Sequence, residues 1–205
     1  MAKKGLWVSI SLFVALFAQH AGASTLDFED LTFGASYGVG ESFATSGVVI
    51  TGEEFFFLPS GSTLDGSVSV GDVGLADGAG NELGLNNINL NFDFGVALYG
   101  LALQYGESGG NLNIEVNGEF KNFDDFVDID KTTIGGASIF TLDSGPAGES
   151  SGALFIVTGT IESFSIGGQE LWIDNLVASP VPEPTTLILL GTGGLVILAR
   201  KKRFR

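Results

Sequence analysis

Residues 88–94 read INLNFDF, and this stretch decides the fold class of the chain. Apolar residues occupy every second position, and asparagine or aspartate fills the positions between them. Successive side chains of an extended strand point to opposite faces, so a period of two separates an apolar face from a polar one. The stretch therefore predicts a β-strand that turns one face toward a core.

The same pattern continues on both sides of this strand. Residues 111–120, NLNIEVNGEF, alternate in the same way and then reach Asn117-Gly118. That dipeptide favours positive φ at both positions, so it predicts a type I′ turn and a hairpin. Residues 96–105, VALYGLALQY, form an apolar run broken by Gly100, which predicts a strand either buried on both faces or bulged at the glycine. Further strand candidates are GVVIT, FFFL, SVSV, SIFTL, LFIVTGTIESFSI and ELWIDNLVA.

Helix signals are almost missing from the body of the chain. No stretch of it sustains apolar residues at helical spacing, and 31 glycines interrupt the sequence throughout. Many short strands separated by turn residues predict an all-β fold over residues 24–179, an antiparallel β-sandwich of jelly-roll type. An open barrel or a solenoid is the alternative, although no fixed internal period supports a repeat.

The first 23 residues have the composition of a signal peptide. Two lysines near the start precede an apolar run over residues 6–18, and small residues fill positions 21–23. This order predicts passage through the export machinery and cleavage by signal peptidase, with Ser24 as the new N-terminus. An uncleaved anchor is the alternative, but the apolar run is short for a membrane span.

The exported body is strongly acidic and lacks several reactive side chains. Between Ser24 and Pro182 it holds Lys121 and Lys131 against 23 of the 24 acidic residues, and it contains no Arg, His or Cys. Nucleic acid is therefore not an expected partner. Catalytic triads, thiol nucleophiles and imidazole metal sites are excluded. A carboxylate-pair glycosidase remains open, as does a Ser-Lys pair without a recognisable motif, and we expect a protein that is not an enzyme.

The C-terminal region divides into three parts. Residues 180–186, PVPEPTT, predict a stiff, extended linker rather than a strand. Residues 187–199 carry no ionisable side chain and predict one short transmembrane helix, since 15 residues with the two preceding threonines cover about 22 Å of a core of about 30 Å. The basic tail over residues 200–205 follows, and the positive-inside rule keeps it in the cytoplasm while the body is exported. Its charged residues are Arg200, Lys201, Lys202, Arg203 and Arg205.

These three parts resemble the PEP-CTERM sorting signal. In that family a Pro-Glu-Pro motif, a hydrophobic helix and a basic tail follow one another at the C-terminus, and here the motif is Val181, Pro182, Glu183 and Pro184. The resemblance covers about 25 residues. It implies recognition and cleavage by an exosortase of a Gram-negative bacterium, a transient anchor in the inner membrane, and delivery to the outside, often beside an exopolysaccharide.

The body also resembles galactose-binding-like, carbohydrate-binding jelly rolls, in residues 25–31 (TLDFEDL) and 170–178 (ELWIDNLVA). In those folds acids on the first and last strands help to hold a structural calcium, and Asp27, Glu29 and Asp174 occupy the matching positions. Calcium prefers six to eight oxygen ligands, and it would join the two chain ends where no disulfide does. The alternative is that these acids are solvated strand residues. A second acidic set over residues 124–130 predicts a solvated loop.

Carbohydrate binding would use aromatic faces stacked on sugar rings. Trp172 shares one strand face with Asp174 and is the first candidate platform, and Tyr99 and Tyr105 are more distant candidates. The alternative for Trp172 is a place in a small second core.

The sequence as a whole predicts an exported, non-enzymatic protein of the cell surface or extracellular matrix, as in a biofilm. A carbohydrate-binding module for exopolysaccharide is the first alternative, and a carboxylate-pair glycosidase is the second.

Overall fold

A computed structural model of the chain describes residues 23–57, 60–76, 80–143 and 149–181. The predicted signal peptide, hydrophobic helix and basic tail lie outside these residues. The described residues form sixteen β-strands and one 3-10 helix, Phe126–Ile129. The strands are β1 (Ser24–Leu26), β2 (Ser36–Gly38), β3 (Ser42–Thr45), β4 (Val48–Phe57), β5 (Gly61–Thr63), β6 (Ser67–Gly71), β7 (Glu82–Asn86), β8 (Ile88–Asp93), β9 (Leu98–Glu107), β10 (Leu112–Val116), β11 (Glu119–Phe123), β12 (Thr133–Ile134), β13 (Ala137–Leu142), β14 (Ser150–Ile161), β15 (Phe164–Gly168) and β16 (Leu171–Pro180).

The strands build two sheets, and every pairing among them is antiparallel. The nine-stranded sheet has the order β12-β13-β14-β9-β16-β7-β6-β2, and β1 pairs with β16. The seven-stranded sheet has the order β11-β10-β15-β8-β4-β3, and β5 pairs with β4. This architecture confirms the predicted all-β antiparallel sandwich, whereas the likeness to jelly rolls stays a prediction.

The core lies between the sheets as one cluster of buried apolar side chains. Phe155 on β14 and Phe164 on β15 meet across the sandwich with ring centroids 6.2 Å apart. On β8 the apolar positions of the opening stretch are buried and Asp93 is exposed, as the alternation predicts. Each large apolar side chain that is fully buried stabilises the fold by about 1.5–3 kcal/mol. The core therefore supports a fold of this size without disulfides.

Two local predictions are confirmed by the backbone. Asn117 and Gly118 have φ of 52° and 77°, as a type I′ turn between β10 and β11 requires. Against β16, the register of β9 shifts between Gly100 and Leu98, where Tyr99 is an extra residue on β9 beside the glycine. The bulged alternative for this strand is therefore the correct one.

The polar face of β8 is more enclosed than its pattern indicates. Residues 48–51 of GVVIT and 55–57 of FFFL belong to the single strand β4. Asn89 is only 4 % exposed, and its amide donates to the Glu54 carbonyl at 2.6 Å. Gly167 on the neighbouring strand leaves the space for this amide, since a Cβ there would collide with the Asn89 carboxamide. The outer face of the seven-stranded sheet is thus partly a second packed layer.

The last strand extends further than the sequence predicts. β16 includes Pro180, and the backbone N–H of Val181 donates to the Ala97 carbonyl at 2.9 Å. Proline is tolerated at the end of a strand because no ladder hydrogen bond needs its missing N–H. The prediction that Pro180 lies in a linker rather than in a strand is therefore wrong, and Val181 remains bound to the sheet.

Candidate functional site

The three acids predicted to hold calcium come together at one place, and a fourth acid joins them. β1 pairs with β16, which brings Asp27 and Glu29 near Asp174. β7 pairs with residues 171–173 on the same edge of β16 as β1, and Glu82 lies one residue beyond the last paired position, Leu83. Asp174 and Glu82 are each only 2 % exposed. We call Asp27, Glu29, Glu82 and Asp174 the outer acidic cluster.

Burial and like charge both act on Asp174. Burial, followed by repulsion from Glu82, Glu29 and Asp27 in that order, raises the pKa of Asp174 to about 6. The Asn175 amide opposes this, because it donates to Asp174 Oδ1 at 2.6 Å. A proton or a cation would relieve the repulsion.

The carboxylates of this cluster are already bound to backbone amides. Glu82 accepts from the N–H groups of Val73 at 2.8 Å and Ala76 at 3.0 Å, and so it fixes the loop after β6. Glu29 accepts from the Asn81 N–H at 2.8 Å. Gly80 has φ of 100°, and a Cβ there would collide with the Glu29 carboxylate.

The donor chemistry of the outer acidic cluster suits a hard cation, but its arrangement is not that of a ligand set. In the described ranges, no group of three or more His, Cys, Asp or Glu side chains is placed to hold a metal ion. A carboxylate oxygen that accepts one N–H bond keeps a further lone pair, so these amide contacts do not themselves exclude a cation. The calcium assignment to Asp27, Glu29 and Asp174 stays a prediction.

A second acidic cluster lies at the end of β9 and was not predicted. It consists of Glu107, Asp125 and Asp143, and we call it the inner acidic cluster. Tyr105 donates from its hydroxyl to Asp143 at 3.0 Å, and Ser150 Oγ lies within hydrogen-bond distance of Asp143 and of Glu107 Oε1. Glu107 is 3 % exposed, and within the described part of the chain its Oε2 has no hydrogen-bond partner.

Glu107 is a carboxyl group of this cluster with a raised pKa. Burial, followed by the charge of Asp125, raises the pKa of Glu107 to about 7, while hydrogen bonds from the Phe126 amide and the Ser150 hydroxyl oppose the change. Burial, followed by the charge of Asp143, also raises the pKa of Tyr105 well above its usual range. The cluster therefore favours a protonated carboxyl group.

One signal in the sequence could have revealed Glu107. Glu107 lies two residues after Tyr105 and four after Leu103 on β9, so its side chain points to the same buried face as theirs.

The predicted solvated loop over residues 124–130 is wrong at Asp125. That side chain is 8 % exposed and caps the 3-10 helix by accepting from the Val127 N–H at 2.9 Å.

The three aromatic residues predicted to bind sugars do not form one site. Tyr105 is fully buried and stacks on Phe126 with ring centroids 3.8 Å apart, so its role as a sugar platform is corrected. Trp172 is half-buried, and Tyr99 is 56 % exposed. Trp172 pairs with Gly106, seven residues along β9 from Tyr99, a separation of about 23 Å. A single sugar ring could not contact both.

An exposed aromatic pair lies on the other sheet and was not predicted. Phe56 is 42 % exposed and Phe120 is 37 % exposed, and their rings meet edge to face with centroids 5.4 Å apart. The two residues are far apart in sequence, so their pairing depends on the sheet and not on any local pattern.

The start of the sorting motif is visible at the edge of the described residues. Val181 is 41 % exposed, while Pro182, Glu183, Pro184 and the basic tail lie outside the description. Within the described residues, no helix is long and apolar enough to span a bilayer. The predicted helix over residues 187–199 lies outside the described residues.

A comparison with known protein families finds the sorting motif at the C-terminal side of the sandwich body. The model of the PEP-CTERM protein-sorting motif matches residues 180–203. The chain therefore carries this motif, which supports an exported protein that is sorted at the membrane and processed by an exosortase. No curated protein and no solved structure matches the chain.

Proposed function

We propose that the chain is a non-enzymatic protein of the cell surface or extracellular matrix, with its acidic β-sandwich as the delivered body. The observation that carries this proposal is the sorting motif over residues 180–203, which begins where the last strand of the sandwich ends. A signal peptide at the other end of the chain, as the sequence predicts, would supply the first export step.

The chemistry of the body supports a role without catalysis. Its sequence offers no His, Cys or Arg, and the neighbouring carboxyl groups of Glu107 and Asp125 are buried, at 3 % and 8 % exposure. A glycosidase needs two carboxyl groups that reach opposite sides of a sugar bound from solvent. Turnover of a chromogenic glycoside by the body would contradict this part of the proposal.

Carbohydrate binding is the second candidate function. The exposed ring of Tyr99 and the exposed pair Phe56–Phe120 favour it, because sugars stack on accessible aromatic faces. A glycan array probed with residues 24–181 separates the two candidates. Specific binding to one exopolysaccharide, lost in Tyr99→Ala or in Phe120→Ala, would favour the binding module.

Substitution of the sorting motif tests the main proposal. In a host that has an exosortase, we expect Glu183→Ala, or deletion of residues 200–205, to reduce the amount of processed protein outside the cell. The thermal stability of the body should not change, because these residues follow its last strand. Glu170→Ala, which removes an exposed carboxylate of the body away from the sorting motif, is the matched control. Equal delivery of Glu183→Ala and wild type would refute the role of the motif.

A further inference from the structure

Both ends of the sandwich body leave it at the same place. Ser24, the predicted mature N-terminus, pairs with Ala178 on β16. Because β1 and β16 are antiparallel, the first residue of β1 lies beside the end of β16. We define the exit pole as residues 93–99, 162–163 and 179–181, which surround this point.

No spacer separates the exit pole from the sorting motif. The Val181 N–H is bound to the Ala97 carbonyl at 2.9 Å, and Pro182 is the next residue in the chain. The hydrogen bond fixes Val181 at the exit pole, and two further residues of chain reach at most about 7 Å from it. A protease that holds Glu183 must therefore come close to the exit pole.

The exit pole has the composition of a contact surface. Val96 and Tyr99 are each 56 % exposed, and Val181 is 41 % exposed. Asp93 and Glu162 are exposed and lie with Val96 at one concave part of the exit pole. Residues 91–97 and 162–163 also line an open hollow of about 610 Å³.

No basic side chain of the body is available to balance these acids. Its two lysines form ion pairs elsewhere, Lys121 with Glu119 at 3.1 Å and Lys131 with Asp130. The complementary partner surface is therefore apolar at its centre and basic at its rim.

We propose that the exit pole is a docking surface for the membrane protease that processes the sorting motif. The partner contacts Val96, Tyr99 and Val181 through apolar groups and faces Asp93 and Glu162 with lysine or arginine. This inference rests on the proposed function, and it extends recognition from the motif to the folded body beside it. The protease contacts the motif and the exit pole at the same time, because the chain between them is too short to separate them.

The test measures the rate of C-terminal processing of the full chain in a host that has an exosortase. We expect the double variant Val96→Ser, Tyr99→Ser to be processed roughly tenfold more slowly, because docking loses its apolar centre. Glu162→Lys should also be slower, because it places like charges opposite each other. Leu142→Ser, at a 63 % exposed position on β13, is the matched control and should leave the rate unchanged. Thermal unfolding of each purified body shows whether the fold is intact.

A spacer distinguishes docking at the exit pole from a direct effect of the substitutions on the motif. Eight Gly and Ser residues inserted between Val181 and Pro182 would let the motif reach the protease without the exit pole. In that chain the double variant and its parent should be processed at equal rates. If they still differ about tenfold, or if the double variant without the spacer matches or exceeds the wild-type rate, the docking proposal is wrong. Glu183→Ala, measured alongside, distinguishes the two levels: normal processing of that variant contradicts the proposed function itself.

Discussion

The buried carboxyl group of Glu107 predicts how the stability of the body depends on pH. Its pKa is about 7 in the folded protein against an ordinary 4.5, mainly because of burial and then because of the charge of Asp125. Below pH 4.5 the group is protonated in both the folded and the unfolded chain. As the pH rises from 4.5 to 7, the unfolded chain loses this proton first, so the free energy of unfolding falls across that window. Above pH 7 its contribution has been lost.

The size of this effect follows from the difference between the two pKa values. Each pKa unit is worth about 1.4 kcal/mol, so Glu107 accounts for a loss of at most about 3.5 kcal/mol. Glu107→Gln keeps the shape of the side chain but cannot ionise. Its amide can also donate a hydrogen bond toward Asp125. Relative to wild type, the variant should therefore gain stability between pH 5 and pH 8.5, by an amount approaching that limit.

Chemical denaturation of residues 24–181 at several pH values measures the difference. Asp174 titrates in the same direction, with a pKa raised to about 6 by burial and by Glu82, and it remains present in both proteins. The comparison at each pH therefore isolates Glu107. Glu162→Gln controls for the loss of one negative charge from an acidic body. If the stability difference between Glu107→Gln and wild type stays constant from pH 5 to pH 8.5, the pKa of Glu107 is not raised in the folded protein, and the reasoning is refuted.

Three further predictions use other parts of the molecule. Intact-mass measurement of the secreted protein should show a chain that begins at Ser24 and lacks the basic tail, whereas a product that keeps ARKKRFR would contradict processing. If Asp27, Glu29 and Asp174 hold calcium, calcium at about a hundredfold over its Kd stabilises the body by about 2.7 kcal/mol, beyond the effect of magnesium, and Asp174→Asn removes that difference; equal effects of the two ions would identify general charge screening instead. Gly167→Ala should lower the free energy of unfolding by about 1–3 kcal/mol, because its Cβ would collide with the Asn89 carboxamide and with the Ile88 backbone carbonyl; an unchanged denaturation midpoint would refute this account of the packing at Gly167.

Local pattern is enough to predict the strands of this fold. The alternation in residues 88–94 and the Asn117-Gly118 turn each depend on neighbours in the chain, and both are confirmed. The glycine in the apolar run over residues 96–105 marks a real irregularity for the same reason. The order of strands in the sheets could not be predicted in this way, because pairs such as β9 with β16 join residues that are far apart in sequence.

The candidate sites, like the sheets, depend on contacts between residues far apart in sequence, which a local pattern does not predict. Asp27 and Asp174 could be placed near each other only through a resemblance, and the structure does place them in one cluster with Glu82. The inner acidic cluster joins Glu107 to Asp125 and Asp143 across three separate segments, so no local pattern signals it. Burial also decides the role of Tyr105, because the residue type alone is compatible with both a core and a sugar platform.

The two acidic clusters and the charge of the body have a common consequence. Glu107 and Asp174 both have raised pKa values in the fold, and both face other carboxyl groups. The body has only two lysines, and each forms an ion pair with an exposed or half-buried neighbour at the surface. Protein side chains therefore leave the buried carboxyl groups without a matching positive charge in the described part of the body. Neutralisation must come from protons or from cations in the medium, so the stability of this exported body depends on the solution outside the cell.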